Sequence, residues 1–223
     1  IVKQLTSLGL NRIAVFYQND AYGKAGLEGT VRALKRRGLE AVATGTVERN
    51  TVDVAKAVAE IVPKNANAVV QISAYKSCAA FIREARKAGF GGTFYNVSFV
   101  GTKALADELG ADARGVVVSQ VMPYPYSPAS PLSAEYLTAG KAAEGDKFEP
   151  NYSSIEGFVA AKTFSEAMKR LSGVPTPEAL ITSLESLREL NLGGFFVDFG
   201  ANKRMGSRFV DLTILSSDGK VRR

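Results

Sequence analysis

The sequence predicts an α/β fold with a doubly wound parallel sheet. Through residues 1–120, short apolar segments alternate with longer segments whose apolar residues recur at helical spacing. That order builds a parallel sheet with helices on both faces, joined by right-handed crossovers. Residues 68–72 (AVVQI) form a short apolar run, which is typical of a central strand buried on both faces.

Each element of this first part follows from a local signal. Asn19 and Asp20 supply helix-capping chemistry after the first strand, and residues 50–53 (NTVD) do so before a later helix. Gly38 and Gly89 are expected to end helices. The strands are expected at residues 12–17, 39–47, 68–72, 93–97 and 115–120. The helices are expected at residues 1–8, 21–37, 52–62, 75–87 and 101–109.

The pattern changes after Val121. Residues 122–131 contain four prolines and predict an extended connector that cannot be helical. Helices are expected next, at residues 132–143, 151–171 and 177–187, and then strands at residues 195–199 and 209–215 with a turn through residues 200–203 between them.

The helix expected at residues 151–171 is apolar around much of its circumference and needs cover on more than one side. No predicted strand between residues 121 and 190 supplies a sheet for it, and the first helix has no capping residue in front. We therefore expect a fragment whose N-terminal part is missing. A fragment with such an uncovered face is expected to self-associate.

Composition excludes several classes of function. The chain has no His and one Cys, which removes the commonest general base, the commonest metal ligand and any disulfide within the chain. The formal charge of +6 comes from Lys and Arg scattered over predicted helices, a pattern typical of solvated faces. No apolar run is long enough to span a membrane, and no signal peptide is present. We expect no metal, no cofactor and no nucleic-acid partner.

Catalytic motifs are also missing. The sequence contains no phosphate-binding loop of the Walker type, no Gly-x-Gly-x-x-Gly after its first strand and no Gly-x-Ser-x-Gly elbow. Cys78 lies beside Ala79 and Ala80 on a predicted helix, where a small buried thiol is the expected role. The sequence therefore favours a binding protein over an enzyme.

The candidate ligand contacts follow the carboxyl ends of predicted strands, where open α/β sheets bind ligands. Tyr22 and Tyr75 each begin a helix after a strand, and each can pack a ring on a ligand and donate a hydrogen bond. The alternative is that they are half-buried tyrosines that seal the corner between strand and helix. Tyr152 opens the long helix, where a capping role is the alternative. The candidate residues are Asp20, Ala21, Tyr22, Ser73, Ala74, Tyr75, Ser98, Phe99, Val100 and Tyr152.

Four stretches carry a resemblance to a known family: residues 17–29 (YQNDAYGKAGLEG), 35–40 (KRRGLE), 152–162 (YSSIEGFVAAK) and 194–200 (GFFVDFG). Together they resemble the branched-chain amino acid binding proteins. These are the periplasmic solute receptors of ABC transporters and have the type I periplasmic-binding fold. The resemblance covers essentially the whole chain.

The resemblance implies a two-lobed receptor that closes on its ligand, and this chain would hold one complete lobe and part of a second lobe. Residues 1–119 with 207–223 would be the C-terminal lobe. Residues 120–206 would be the connector and the helical portion of an N-terminal lobe, whose first ~100 residues are missing. It implies a small-molecule ligand, no catalysis, and a membrane permease as partner. A ligand-sensing module of the same fold, coupled to a signalling partner, is the alternative.

The resemblance also assigns ligand contacts and leaves one gap. Tyr22 and Tyr75 match aromatic residues of the C-terminal lobe, and Tyr152 begins a helix near the cleft. Amino-acid binders carry an acidic residue after the fourth strand, whereas residues 98–101 (SFVG) contain none. Burying an ammonium without a partner is costly. We therefore expect an aromatic or aliphatic carboxylate, or an amide, as readily as an amino acid.

Overall fold

The computed structural model describes residues 1–223 of the chain. Its strands are β1 (Ile13–Gln18), β2 (Ala43–Val47), β3 (Ala68–Ile72), β4 (Thr93–Asn96), β5 (Val117–Gln120), β6 (Leu190–Asn191), β7 (Phe196–Val197), β8 (Asp211–Leu215) and β9 (Val221–Arg222). Its helices are α1 (Val2–Ser7), α2 (Ala21–Lys35), α3 (Ala55–Ile61), α4 (Tyr75–Lys87), α5 (Thr102–Leu109), α6 (Pro131–Glu144), α7 (Tyr152–Lys169) and α8 (Pro177–Glu185). None of these helices is both long and apolar enough to cross a membrane.

The chain divides into two compact units. Unit 1 comprises residues 1–120 and 212–223, and unit 2 comprises residues 121–211. Unit 1 is built on a seven-stranded sheet with the order β2-β1-β3-β4-β5-β8-β9. The pairs β1–β2, β1–β3, β3–β4 and β4–β5 are parallel, which confirms the predicted parallel sheet. β9 pairs antiparallel with β8 at the far edge and was not predicted.

Helices cover both faces of the sheet in unit 1. On one face, Val15 and Val70 join a core with Leu5 of α1 and Leu34 of α2. On the other face, the ring of Phe81 in α4 stacks on Phe16 of β1 at 4.3 Å between centroids. Successive side chains of a strand point to opposite faces, so the apolar strands fill both cores at once. The doubly wound arrangement is confirmed.

Helix α2 packs unusually close to the sheet through two glycines. A Cβ added at Gly23 would lie 1.8 Å from the carbonyl oxygen of Gln18, and one at Gly26 would lie 2.6 Å from Cγ2 of Ile72. The two glycines are three residues apart and so share one helix face. Their missing side chains bring the first turn of α2 down onto the end of β1.

Two predicted element starts are wrong by three residues or more, each for a physical reason. Helix α3 begins at Ala55, behind an N-cap residue with no side-chain hydrogen bond, and not at residue 52. The expected capping residues instead form a turn after β2, in which Thr51 Oγ1 donates to the Glu48 carbonyl at 3.0 Å and Asn50 has φ +61°. Strand β2 begins at Ala43 and not at residue 39, because the N–H of Leu39 bonds the Leu34 carbonyl at the end of α2.

Unit 2 is mainly helical around a small core. Leu132 of α6, Val159 of α7 and Phe195 belong to that core. The connector is non-helical, as predicted, except that Pro131 is the first residue of α6, behind the capping side chain of Ser130. β7 pairs antiparallel with β6, a strand that the sequence pattern did not indicate.

Candidate ligand-binding site

The predicted site residues of unit 1 lie at one edge of its sheet. β3 lies between β1 and β4, and all three strands are parallel, so their carboxyl ends face the same side. Asp20 to Tyr22 follow β1, Ser73 to Tyr75 follow β3, and Ser98 to Val100 follow β4. The fold therefore brings nine of the ten candidate residues to this edge: Asp20, Ala21, Tyr22, Ser73, Ala74, Tyr75, Ser98, Phe99 and Val100.

Asp20 is the N-cap of α2, and its carboxylate is engaged by the protein itself. Oδ1 accepts from the N–H of Gly23 at 3.0 Å, and Oδ2 accepts from the side-chain amide of Gln18. The Gly23 N–H, followed by the Gln18 amide, holds the pKa of Asp20 below its ordinary value. Asp20 therefore fixes the turn between β1 and α2, next to the exposed Ala21.

Tyr22 is half-buried, and its hydroxyl has no hydrogen-bond partner although that oxygen is buried. Its ring lies 4.5 Å from the ring of Phe99, centroid to centroid. Burial raises the pKa of Tyr22, and the neighbouring Cys78 and Asp20 raise it further, so the phenol is neutral at pH 7. Sealing the corner between strand and helix explains the buried ring but leaves the unused hydroxyl unexplained, since buried polar atoms are nearly always paired.

The segment after β3 is held by hydrogen bonds among its own residues. Ser73 is fully buried, and its hydroxyl lies 2.8 Å from that of Ser77, which also bonds the Ala74 carbonyl at 3.1 Å. Ala74 is the N-cap of α4 and contributes no side-chain cap. Tyr75 begins α4 partly exposed, with the ammonium of Lys76 at 6.0 Å from its ring centroid. At this position the tyrosine ring is the group that remains accessible.

The segment after β4 presents a single large apolar side chain. Ser98 to Val100 form a 3₁₀ turn that ends at Gly101, where φ is +76°. Val100 is buried and anchors the turn, whereas Phe99 is 68% exposed. Because β1 and β4 flank β3, the contact between Tyr22 and Phe99 passes across the end of β3.

Beneath this edge lies a layer of buried amides that sequence reasoning missed: Gln18, Gln71, Asn96 and Gln120. Gln71 pairs in register with Asn96, which places both side chains on one face of the sheet. Gln71 Oε1 and Asn96 Oδ1 are buried without a hydrogen-bond partner. Gln71 lies within the run that was predicted as apolar. The sequence signal that could have predicted this layer is an amide side chain at the last or second-last position of each of four strands.

Tyr152, the tenth candidate, belongs to unit 2. It is the first residue of α7, where Asn151 is the cap and accepts from the Ser154 N–H at 2.9 Å. Tyr152 is buried, and its ring packs edge-on against Tyr126 at 5.9 Å. Tyr126 in turn contacts Tyr124 at 5.1 Å. These two connector tyrosines were not singled out from the sequence.

The remaining chemistry of the chain is limited. Cys78 is fully buried, and burial raises the pKa of its thiol. The structure contains no group of three or more Cys, Asp or Glu side chains placed to hold a metal ion. The edge of unit 1 can thus offer aromatic surface to a ligand.

Comparison with known proteins identifies the class. A sequence profile described as periplasmic binding protein matches residues 1–220. The chain therefore belongs to the periplasmic binding protein family, as the resemblance implied. It is a family of binding proteins, in agreement with the expectation that the chain is not an enzyme.

Individual relatives place the chain within this family. It is 31% identical to a substrate-binding periplasmic protein from Ralstonia solanacearum, with a TM-score of 0.89 over 99% of this chain and 63% of that one. It is 29% identical to a possible leucine/isoleucine/valine-binding protein from Rhodopirellula baltica SH 1, with a TM-score of 0.93 over 100% of this chain and 62% of that one. These structures confirm the type I periplasmic-binding fold.

The chain is also similar to a curated protein from Brucella abortus (strain 2308) called Leu/Ile/Val-binding protein homolog 8. The two are 26% identical over 222 residues, which are 94% of this chain and 53% of the relative. The chain thus spans about half the length of the curated relatives it matches.

Proposed function

We propose that the protein is a periplasmic solute-binding receptor for an ABC importer and that it takes an amino acid or a small carboxylate or amide. Unit 1 would be most of its C-terminal lobe, and unit 2 would belong to its N-terminal lobe. The membership of the chain in the periplasmic binding protein family supports this proposal. The names of its relatives from Rhodopirellula and Brucella support the choice of an amino acid or a molecule of similar size.

One observation supports the proposed location of the ligand-binding site. The buried hydroxyl of Tyr22 is unpartnered in the free protein, beside the exposed ring of Phe99. A bound ligand would cover the ring of Phe99, and a small movement of the Tyr22 side chain would let its buried hydroxyl pair with a hydrogen-bonding atom of the ligand. Tyr75, at the start of the adjacent helix α4, would supply a second aromatic contact. Asp20 would act by holding the turn that positions Tyr22.

A thermal-shift screen of the complete gene product tests this function. The panel would contain amino acids, aromatic carboxylates, short fatty acids and amides. A ligand present at 100 times its Kd stabilises the folded state by about 2.7 kcal/mol, which raises Tm measurably. We expect at least one ligand of this size to raise Tm, and to lose that effect in Tyr22→Ala. A folded protein whose Tm no compound changes would contradict the proposal.

A further inference from the structure

The two edges of the unit 1 sheet differ in charge. The segments that lead into the amino ends of the five parallel strands are residues 8–12, 36–42, 62–67, 88–92 and 110–116. Together they contain five basic residues and two acidic ones. The segments that follow the carboxyl ends of β1 to β4 are residues 19–20, 48–54, 73–74 and 97–101, and they contain one basic residue and three acidic ones. Positive charge is therefore gathered at the edge opposite the candidate ligand-binding site.

The basic pole comprises the five basic residues of this amino edge: Arg12, Arg36, Arg37, Lys64 and Arg114. All five are exposed, and none of them forms a salt bridge. Where their side chains make hydrogen bonds, the acceptors are backbone carbonyls: Arg12 donates to Asn65 at 2.9 Å, and Arg37 donates to Ala33 at 3.1 Å. These cations are far apart in sequence, and the parallel sheet brings their segments to one edge.

The two acidic residues of the amino edge offset little of this charge. Asp112 lies 3.2 Å from the guanidinium of Arg83, so its carboxylate is already paired. Glu40 is exposed and forms no salt bridge. A group of exposed cations with so few counter-charges attracts an external anionic surface, most strongly at low ionic strength.

A pocket of about 360 Å³ lies along the same edge. Its lining includes Arg86, Arg114 and the backbone of Gly91 and Gly92, and no acidic side chain. Arg86 is held in place, because it donates to the Arg114 carbonyl at 3.1 Å, whereas the guanidinium of Arg114 has no partner within the protein. Guanidinium groups bind phosphate oxygens well, so the pocket suits a phosphate group.

One exposed apolar side chain accompanies the cations. Leu8 is 57% exposed in the segment that leads into β1, four residues before Arg12. Basic residues next to an exposed leucine suit the headgroup region of a bilayer, where the cations meet anionic lipids and the leucine reaches the acyl boundary. A folded protein partner would instead need a central cluster of apolar anchors, and the exposed large apolar side chain here is a single leucine.

We propose that the amino edge of unit 1 is a docking surface for a bilayer that contains anionic phospholipids. The basic pole supplies the attraction, the pocket beside Arg114 takes a headgroup phosphate, and Leu8 enters the boundary of the acyl chains. This interaction goes beyond the receptor function and does not depend on the solute, because the candidate ligand-binding site lies at the opposite edge. It would hold the receptor close to the membrane.

Sedimentation with lipid vesicles tests the surface. The complete gene product would be mixed with vesicles of phosphatidylcholine alone, or of phosphatidylcholine with phosphatidylglycerol. We expect at least about tenfold stronger binding to the anionic vesicles, and loss of that binding as salt is added. Equal binding to both kinds of vesicle, or none to the anionic vesicles at low salt, would overturn the proposal.

Glycerol 3-phosphate distinguishes a bilayer from a soluble anion, since it carries the phosphate of a headgroup without the surface. Added at the concentration of accessible anionic lipid, it should leave most of the protein on the vesicles. Complete displacement would show that the edge binds a soluble phosphate ester, which would overturn the membrane proposal.

Charge reversal tests the basic pole. Each basic residue near an anionic surface contributes about fivefold in affinity, so Arg36→Glu combined with Arg37→Glu should weaken vesicle binding by at least about tenfold. The matched control is Lys141→Glu combined with Lys147→Glu, which makes the same change in charge at exposed positions of unit 2 and should leave binding unchanged. An unchanged Tm would verify that both variants fold. Equal weakening by the two variants would mean that only the total charge matters, and the basic pole would not be the docking surface.

Discussion

The side-chain amide of Gln120 donates a hydrogen bond to the hydroxyl of Thr213 at 2.8 Å, across 93 residues of sequence. The same amide donates to Thr102 at 2.8 Å, and Thr213 donates in turn to the Val118 carbonyl. Gln120, Thr102 and Thr213 are all buried. This network joins β5, α5 and β8 within unit 1, although the chain forms the whole of unit 2 between β5 and β8.

Gln120→Met should destabilise unit 1. The variant keeps approximate volume but removes two buried hydrogen bonds, to Thr102 and to Thr213, of which Thr213 keeps its bond to the Val118 carbonyl. Each lost buried bond costs about 1–3 kcal/mol. We expect the free energy of unfolding to fall by about 2–4 kcal/mol in urea denaturation. Gln4→Met, at an exposed position of α1, should change it by less than about 0.5 kcal/mol. Equal stability of the two variants would mean that the network does not hold β8.

Gly23→Ala should disrupt the turn that carries Tyr22. The new Cβ would lie 1.8 Å from the Gln18 carbonyl oxygen, so the start of α2 must move away from β1. We expect a loss of at least about 2 kcal/mol in unfolding free energy, together with weaker ligand binding. Gly29→Ala is the control in the same helix, since its nearest neighbour would be Arg32 at 3.9 Å. It should stabilise by about 0.5–1 kcal/mol, and a similar result for Gly23→Ala would refute the packing argument.

Tyr22→Phe should weaken ligand binding without destabilising the fold. The substitution removes a hydroxyl that has no partner in the free protein, so the free energy of unfolding should stay the same or rise by up to about 1 kcal/mol. Ligand affinity should fall by about 1–3 kcal/mol, because the ligand loses its donor. Calorimetry and thermal denaturation on the same preparations would measure both. Unchanged affinity would show that the hydroxyl does not meet the ligand.

Removing the whole rings tests the two aromatic positions together. Tyr22→Ala and Tyr75→Ala should each weaken ligand binding by roughly 1–3 kcal/mol, the scale of a lost aromatic anchor. Circular dichroism should show that each variant still folds, because Tyr22 packs only at the margin of the sheet core and Tyr75 is partly exposed. Normal binding by both variants would mean that the site has been assigned to the wrong residues.

Asp20 should contribute to the pH dependence of stability. Its folded-state pKa lies below the ordinary value of 3.8, because the Gly23 N–H and then the Gln18 amide stabilise the charged form. The folded state therefore binds a proton less readily than the unfolded state, and the contribution is full above pH 3.8 and is lost as pH falls through the lower folded pKa. Urea denaturation between pH 7 and pH 2 should show a smaller acid-induced loss for Asp20→Asn than for wild type. Parallel curves for the two proteins would contradict this.

Local sequence signals were sufficient to predict an element when the residues that start and end it lie directly beside it in the sequence. The bounds of β3 and α4 agree residue for residue with the prediction, because a short β-rich run and a strongly amphipathic segment each end at turn residues. The prediction failed at the start of α3, where Asn50 and Thr51 have the chemistry of a helix cap and of a turn alike. A turn and a cap use the same side-chain oxygens, so only the surrounding structure selects between them.

In the candidate site, too, some features could be predicted from the sequence and others depend on the tertiary structure. The sequence placed Tyr22, Tyr75 and Phe99 after strands, and a parallel sheet brings such positions to one edge whatever its details. Sequence spacing does not show which strand lies beside which. The burial of amides such as Gln71 and the close packing of Gly23 against Gln18 both depend on that arrangement.

The sequence by itself determined the order of helices and of all strands except β6 and β9, the parallel sheet and the family, because periodicity, turn chemistry and motifs are local properties of the chain. Only the tertiary structure decided that Tyr22 contacts Phe99, that its hydroxyl is buried without a partner, and that Asp20 is already engaged. These facts depend on distances between segments far apart in sequence, and such distances are set by how the strands pair and how closely the helices pack on them.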